Sequence, residues 1–236
     1  MPQPENLYGL PRNKLFCFLI LFGLFFLSAS GCGVGEYEAR MDEQQKRVQY
    51  LDDENKYLEG KPLKLPEKKT EDKEALLNEE FFFRPPTGIS TTPDERPFAG
   101  IVYRYASSNN AIFQDLLVAV AKTDKREKFV KDVLSQIPGL GAPKPHEVGQ
   151  LIGQPVRYDS YHETSPNPTG PYAYFLRDAP PYQVALIFRP VANPASAANI
   201  EASINYSLGS LRVGPAAAQK LRTWKPPPSP RSTGRR

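Results

Sequence analysis

The sequence predicts an α+β fold, a small antiparallel sheet covered by helices, which follows an apolar N-terminal segment and a charged helical segment. Two observations predict this class. Residues 81–224 contain several β-rich runs that are broken by Pro and Gly. Two stripes of apolar residues with helical spacing lie between and after these runs. We therefore expect one α+β domain over residues 81–224, an ordinary length for a single domain.

Five runs have the composition of strands. Three phenylalanines at 81–83 precede two prolines and indicate a short strand, and residues 101–105 are rich in β-forming side chains. Residues 112–121 are apolar on both alternating faces, which is typical of a central strand. Residues 172–177 and 182–188 are strand-like and are joined by a loop with two prolines, which predicts a hairpin.

Two amphipathic helices complete the predicted domain. Asp124 followed by Glu127 indicates the start of the first helix. Its apolar stripe consists of Phe129, Val130, Val133, Leu134 and Ile137. Asn193 before Pro194 indicates the start of the second helix. Its apolar face carries Ile200, Ile204, Leu208 and Leu211. The order of elements predicts an antiparallel sheet that helices cover on one face.

The N-terminal segment ends in small residues and a cysteine. The thirteen residues from Leu15 to Leu27 are all apolar or Gly, and basic residues precede them. Ala29, Ser30, Gly31 and Cys32 follow closely. A basic stretch, a short apolar core and small residues at a cleavage point form the layout of a secretory signal. We expect residues 1–31 to be a signal peptide that is cleaved before Cys32.

Two alternatives to this interpretation concern the same segment. A helix of this apolar length spans roughly 20 Å, which is short of the ~30 Å hydrocarbon core of a bilayer. The length therefore favours a cleaved signal over a permanent transmembrane anchor. The second alternative is an ordinary secretory signal, in which Cys32 is an incidental thiol.

Residues 1–32 resemble the signal of bacterial lipoproteins, although Ala29 stands where that family usually has Leu. The resemblance implies that Cys32 becomes the mature N-terminus, carries palmitate-type acyl groups and anchors the protein in a lipid bilayer. It also implies a location in the cell envelope, facing the periplasm or the outside. Gly33 after the cysteine leaves the inner and the outer membrane both open. Cys17 lies in the predicted signal, so we expect no disulfide in the mature chain.

The segment 32–80 is expected to be a lipidated N-terminus, a charged helical stalk and a linker. Residues 36–59 are rich in Glu, Gln, Lys and Arg and lack Pro, which predicts the stalk helix. Seam positions of a heptad repeat run over 41–58, at Met41, Gln44, Val48, Leu51, Asn55 and Leu58. One hypothesis is self-association through this helix, with Asn55 fixing the register; the other is a single helix that is solvated or packs on its own domain. The Lys/Glu-rich stretch 61–80 predicts a flexible linker.

Residues 225–236 contain four prolines and three arginines and predict a disordered tail. A basic tail also suits nucleic acid, but export of the protein removes that partner. The formal net charge of +4 is too small to indicate a partner class.

The order of elements over residues 80–224 resembles the PsbP/Mog1-type α+β sandwich. The short Phe-Pro segment, the strand before Asp124 and the late helix carry the resemblance. It implies a small binding or assembly factor rather than an enzyme.

The titratable residues indicate no catalytic or metal chemistry. His146 and His162 are the only histidines, and neighbouring prolines predict loops at both positions. Asp159 lies three residues before His162, and an extended backbone would put the two side chains on opposite faces. Zinc sites usually need three or four converging ligands, and no such spacing is present. We predict no catalytic residue, no metal site and no cofactor, and a protein that is not an enzyme.

Five tyrosines are concentrated within 25 residues: Tyr158, Tyr161, Tyr172, Tyr174 and Tyr182. Tyrosine supplies a large amphipathic area and is enriched at protein interfaces, but it also packs on the faces of ordinary sheets. The cluster is therefore either core packing or a contact surface.

The sequence as a whole predicts a membrane-anchored lipoprotein of the cell envelope with a non-catalytic domain that binds or assembles another envelope protein. The alternative is a module that binds a small ligand or a cell-wall polymer, and an envelope hydrolase ranks last.

Overall fold

The structure is a computed structural model that describes residues 32–66, 78–94, 102–108, 112–137, 139–149, 155–162, 170–177, 179–191, 197–215, 217 and 219. Within these residues the α-helices are α1 (Cys32–Tyr57), α2 (Arg126–Leu134) and α3 (Ala197–Ser210). The strands are β1 (Phe81–Phe82), β2 (Val102–Ala106), β3 (Phe113–Lys122), β4 (Lys144–Val148), β5 (Val156–His162), β6 (Tyr172–Leu176), β7 (Tyr182–Pro190) and β8 (Arg212–Val213). The α+β class predicted from the sequence is confirmed.

Some predicted features lie outside the described residues. These are the signal peptide with its cleavage residues Ala29, Ser30 and Gly31, part of the linker (67–77), the Asn193-Pro194 helix start and the tail 225–236. Those interpretations therefore stay predictions.

Six of the described strands form one antiparallel sheet in the order β2-β3-β7-β6-β5-β4. β3 and β7 share the longest register, from Phe113 opposite Pro190 to Lys122 opposite Tyr182. β3 thus lies between two neighbours, as the continuous apolar run over 112–121 predicts. β6 and β7 pair as the predicted hairpin, and β1 pairs with β8 in a small second sheet.

Helices cover both faces of the six-stranded sheet. On the face that we call face A, α3 contributes Ile200, Ile204 and Leu208 to the larger core cluster. On the opposite face, face B, α2 contributes Phe129 and Val133 to a second cluster. The prediction that helices cover one face only is therefore wrong. Successive residues of β3 point to opposite faces, so an unbroken apolar strand requires cover on both.

The chain before β1 contributes to the core on face A. Leu58, Leu63 and Leu65 are buried. The backbone N–H of Leu63 donates to the carbonyl of Phe83 at 2.8 Å. The prediction of a flexible linker is therefore wrong for residues 61–66, where two leucines in an otherwise charged stretch fill the core.

Strands β4 and β5 occupy the part of the chain that the prolines predicted to be loops. β4 ends the strand order of the sheet and pairs with β5. A proline is tolerated on a terminal strand because one side of that strand makes no ladder hydrogen bonds, and Pro145 lies there opposite Asp159. His146 and His162 are consequently strand residues, and the prediction of loops at these two positions is wrong.

The chain divides into two units, Met1–Tyr50 and Leu51–Arg236. In the first unit the described residues belong to α1, and residues 35–49 are exposed. The second unit contains the two sheets and both core clusters. No helix in the described part of the chain is both long and apolar enough to span a bilayer.

Candidate functional site

An open groove of about 750 Å³ lies on face B between α2 and β5. Helix α2 and the residue after it contribute Arg126, Glu127, Val130, Lys131, Leu134 and Ser135, and β5 contributes Asp159 and Tyr161. We call this feature the α2–β5 groove. Its volume is within the range of ligand sites, and its lining mixes apolar and charged side chains.

The position of α2 follows from its apolar stripe. Phe129 and Val133 are buried against the sheet, and the ring of Phe129 meets the ring of Phe175 edge-on at 6.4 Å. Val130 and Leu134 are one position further round the helix and are only partly buried. They therefore form the apolar part of the groove, while Glu127 and Lys131 are exposed.

Ion pairs fix the start of α2 to the sheet. Arg126 Nη2 donates to Asp159 Oδ2 at 2.7 Å, and Arg177 Nε lies 3.2 Å from Asp159 Oδ1. Arg126 Nη1 also donates to the carbonyl of Leu176 and, at 3.2 Å, to Gln183 Oε1. The Asp159 carboxylate is therefore held between two guanidinium groups at one end of the groove.

Tyr161 joins the groove to the core of face B. Its ring meets that of Phe175 edge-on at 5.2 Å. Burial raises the pKa of the Tyr161 hydroxyl, the nearby Asp159 carboxylate adds to that shift, and Arg126 opposes it. The hydroxyl is therefore a neutral hydrogen-bonding group at physiological pH.

The five clustered tyrosines do not form one surface. Tyr158 and Tyr174 are buried in the core of face A, and the hydroxyl of Tyr158 donates to the carbonyl of Leu208 at 2.7 Å. Tyr161 is buried on face B, whereas Tyr172 and Tyr182 are partly buried. The interpretation as a single contact surface does not hold, because Tyr158 and Tyr161 are three residues apart on β5 and face opposite sides of the sheet.

The two histidines lie beside one of these tyrosines on face A. The rings of His146 and His162 are 5.1 and 5.7 Å from the ring of Tyr174. His146 Nε2 is 3.1 Å from Asn205 Oδ1 of α3. Burial lowers the pKa of His162, and the charges of His146 and Lys144 lower it further. Asp159 pairs with Arg126 on face B, so the extended backbone of β5 places Asp159 and His162 on opposite faces of the sheet.

The groups in the groove are suited to binding. Of its two hydroxyls, that of Ser135 donates to the carbonyl of Asp132 at 2.8 Å. Of its two carboxylates, that of Asp159 is neutralised by arginines. Among the described residues, no three His, Cys, Asp or Glu side chains are placed to share a metal ion. No protein-family model matches the chain, and a search of curated proteins found no match.

Sequence reasoning identified only part of this groove. Val130 and Leu134 belonged to the predicted helical stripe, and Tyr161 belonged to the tyrosine cluster. The roles of Arg126 and Arg177 were missed, because their partner Asp159 is 33 residues from the first and 18 from the second in the chain. The sequence did contain one signal of the groove. The apolar stripe of α2 is wider than the face that the helix buries, so Val130 and Leu134 were available for an exposed site. Cys32, the predicted lipidation residue, is the first residue of α1.

Proposed function

We propose that the protein is a lipid-anchored cell-envelope lipoprotein whose domain binds a segment of another envelope protein in the α2–β5 groove. The anchor part rests on the N-terminal sequence that ends at Cys32. The observation that carries the binding part is the groove itself, with partly buried Val130 and Leu134 between exposed charges and the fixed Asp159.

A polypeptide segment fits this groove better than a small ligand does. Small-molecule sites bury most of the ligand surface in a concave pocket, whereas this groove is open along the side of α2. Amphipathic polypeptide segments bind to such grooves through a few apolar anchors, with charged groups at the rim. Val130 and Leu134 would contact the anchors, and Glu127 and Lys131 would contact the charges.

The binding proposal is tested with two charge reversals on the same helix. Lys131 lines the groove, whereas Lys128 is exposed on α2 and does not line it. Lys131→Glu combined with Leu134→Ser is compared with Lys128→Glu after cross-linking in intact cells. We expect the yield of cross-linked partner protein to fall at least tenfold in the first variant and to be unchanged in the second. The domain should remain folded in both variants.

Two results would contradict this proposal. If both variants retain the same partners, the groove is not the binding surface. If the melting temperature instead rises on addition of soluble cell-wall fragments, and Lys131→Glu removes that rise, the groove binds a polymer, which is the alternative function.

The anchor is tested by the intact mass of the detergent-extracted protein, native against Cys32→Ser. We expect the native mass to equal residues 32–236 plus acyl groups, and the substitution to abolish acylation. The mass of the uncut chain would indicate a transmembrane signal anchor, and cleavage without added lipid mass would refute the lipid anchor.

A further inference from the structure

The exposed large apolar side chains of the described residues all lie on helix α1. They are Tyr37, Met41, Val48 and Leu51, with exposed fractions of 63, 52, 56 and 38%. In the described part of the domain, side chains of this kind are buried or partly buried. Such a concentration on one helix is unusual for solvated surface and is typical of an interaction face.

The spacing of these residues is that of a coiled-coil seam. Met41 and Val48 are seven residues apart, and Tyr37 and Leu51 complete an alternation of three and four residues with Gln44 between them. In heptad notation Met41 and Val48 occupy a positions, and Tyr37, Gln44 and Leu51 occupy d positions. The five side chains therefore form one stripe, which we call the stalk seam.

The domain uses the next two seam positions. Leu58 is buried, and Asn55 Oδ1 accepts a hydrogen bond from Arg84 Nη2 at 3.4 Å. Arg84 also donates to the carbonyl of Glu59 at 2.9 Å and lies 3.4 Å from Glu54. Asn55 therefore has a partner within its own chain, and the free seam ends at Leu51 rather than at Leu58.

We propose that the stalk seam, residues 37–51, pairs in parallel with the same seam of a second copy of this chain. In a parallel pair, g positions face e positions of the second copy five residues further along. Arg47 then faces Asp52 of the second copy, which is an attractive pair on each side of the coil.

The charges disfavour the antiparallel arrangement. There g positions face g positions, and the g positions are Arg40, Arg47 and Glu54. Glu54 is already paired with Arg84, so Arg47 would face an arginine of the second copy, Arg40 or Arg47. The one repulsive pair of the parallel arrangement would be Glu54 with Glu59. Both carboxylates already have partners within their own chain, which weakens this repulsion. Glu54 pairs with Arg84, and the Glu59 carboxylate accepts a hydrogen bond from the N–H of Gly88.

The seam is short, and Gln44 places an amide at one d position, so pairing in dilute solution is weak. Tethering both copies to one membrane raises their effective concentration and favours the parallel orientation. In this respect the inference rests on the proposed lipid anchor. The coil would join two copies of the binding domain.

The test uses the full chain in cell membranes and oxidation by copper–phenanthroline. Val48→Cys introduces a thiol at a seam position, and Lys46→Cys introduces one on the outer side of the same helix. Because equivalent a positions meet in a parallel coil, at a spacing that a disulfide can bridge, we expect at least fivefold more cross-linked dimer for Val48→Cys. The unsubstituted chain gives the background from its own cysteines.

Each outcome has a separate meaning. Equal cross-linking of the two variants overturns the dimer, whatever the intact mass of the same sample shows. Cross-linking of Val48→Cys only when it is mixed with Gln44→Cys overturns the parallel orientation, because a meets d in an antiparallel coil. A seam-specific cross-link in protein without acyl groups supports the dimer and refutes the lipid anchor. Unchanged melting of the domain shows that the exposed substitution leaves the fold intact.

Discussion

A buried carboxylate on face B supports a quantitative prediction about stability. Asp115 of β3 has no solvent exposure and lies opposite Arg189 of β7. Arg189 Nε donates to Asp115 Oδ1 at 2.6 Å, and Arg189 Nη2 donates to Oδ2. Arg104 Nε of β2 donates to the same Oδ2 at 2.8 Å. The carboxylate therefore joins three adjacent strands.

We expect Asp115→Asn to destabilise the domain by about 3 kcal/mol. Removing one partner of a buried ion pair typically costs about 3–5 kcal/mol, because the remaining charges lose their compensation. The lower end applies because the side chains of Arg104 and Arg189 are 39 and 31% exposed and regain hydration. The asparagine also keeps one acceptor oxygen. For a domain of this size, such a loss lowers the melting temperature by roughly 6–12 °C.

The measurement is urea unfolding at pH 7, with Glu147→Gln as the matched control. Glu147 pairs with Arg157 at 3.3 Å, and both side chains are more than half exposed, so this control costs less than about 1 kcal/mol. We expect the midpoint of Asp115→Asn to fall by about 1–3 M urea relative to the control. Equal midpoints for the two variants would refute the reasoning. In the double variant with Arg189→Met, the loss must be smaller than the sum of the single losses.

Three further predictions concern other sites in the domain. Gly214 has φ of +88°, and a Cβ there would lie 2.8 Å from Cε2 of Tyr182, so Gly214→Ala should lower the unfolding free energy by more than 2 kcal/mol. Gly139 has φ of +91° with open space around it, so Gly139→Ala should cost only about 1 kcal/mol, and equal costs in urea unfolding would contradict the contact argument. Burial lowers the pKa of His162, so the unfolded chain binds more protons below about pH 6.5 and stability falls as the pH is lowered through this range. His162→Gln should flatten that dependence between pH 7.5 and 5, measured by the urea midpoint at each pH, and an unchanged slope would show that His162 does not cause it. Tyr158→Phe removes the buried hydrogen bond to the carbonyl of Leu208 and should cost about 1 kcal/mol in thermal unfolding; a variant as stable as the native chain would mean that this bond makes no net contribution.

Elements with a strong local pattern were predictable from the sequence. The apolar run 112–121 is β3, and the hairpin predicted over 172–188 is β6 and β7. The stripes at Phe129 and Ile200 mark the buried faces of α2 and α3. These patterns arise because the direction of the side chains repeats every two residues in a strand and every 3.6 residues in a helix. A short window of sequence is therefore sufficient to recognise the element.

Strands β4 and β5 were not predictable in the same way. The prolines in and beside these strands, with their charged residues, give the local composition of loops, and pairing with the rest of the sheet overrides that preference. The burial of Leu63 and Leu65 depends likewise on the core of face A, which is formed by residues far along the chain.

By itself, the sequence determined the α+β class, the central strand, the hairpin, the two amphipathic helices and the heptad spacing of the stalk. Only the tertiary structure decided which side of the sheet each residue faces and which distant residues meet. In the structure the tyrosines lie on two faces of the sheet, and Arg126 pairs with Asp159. The exposed part of the heptad stripe ends at Leu51, and the next apolar position, Leu58, is buried. The physical reason is that periodicity is a property of neighbouring residues, whereas strand register and ion pairing join residues that the sequence separates by tens of positions.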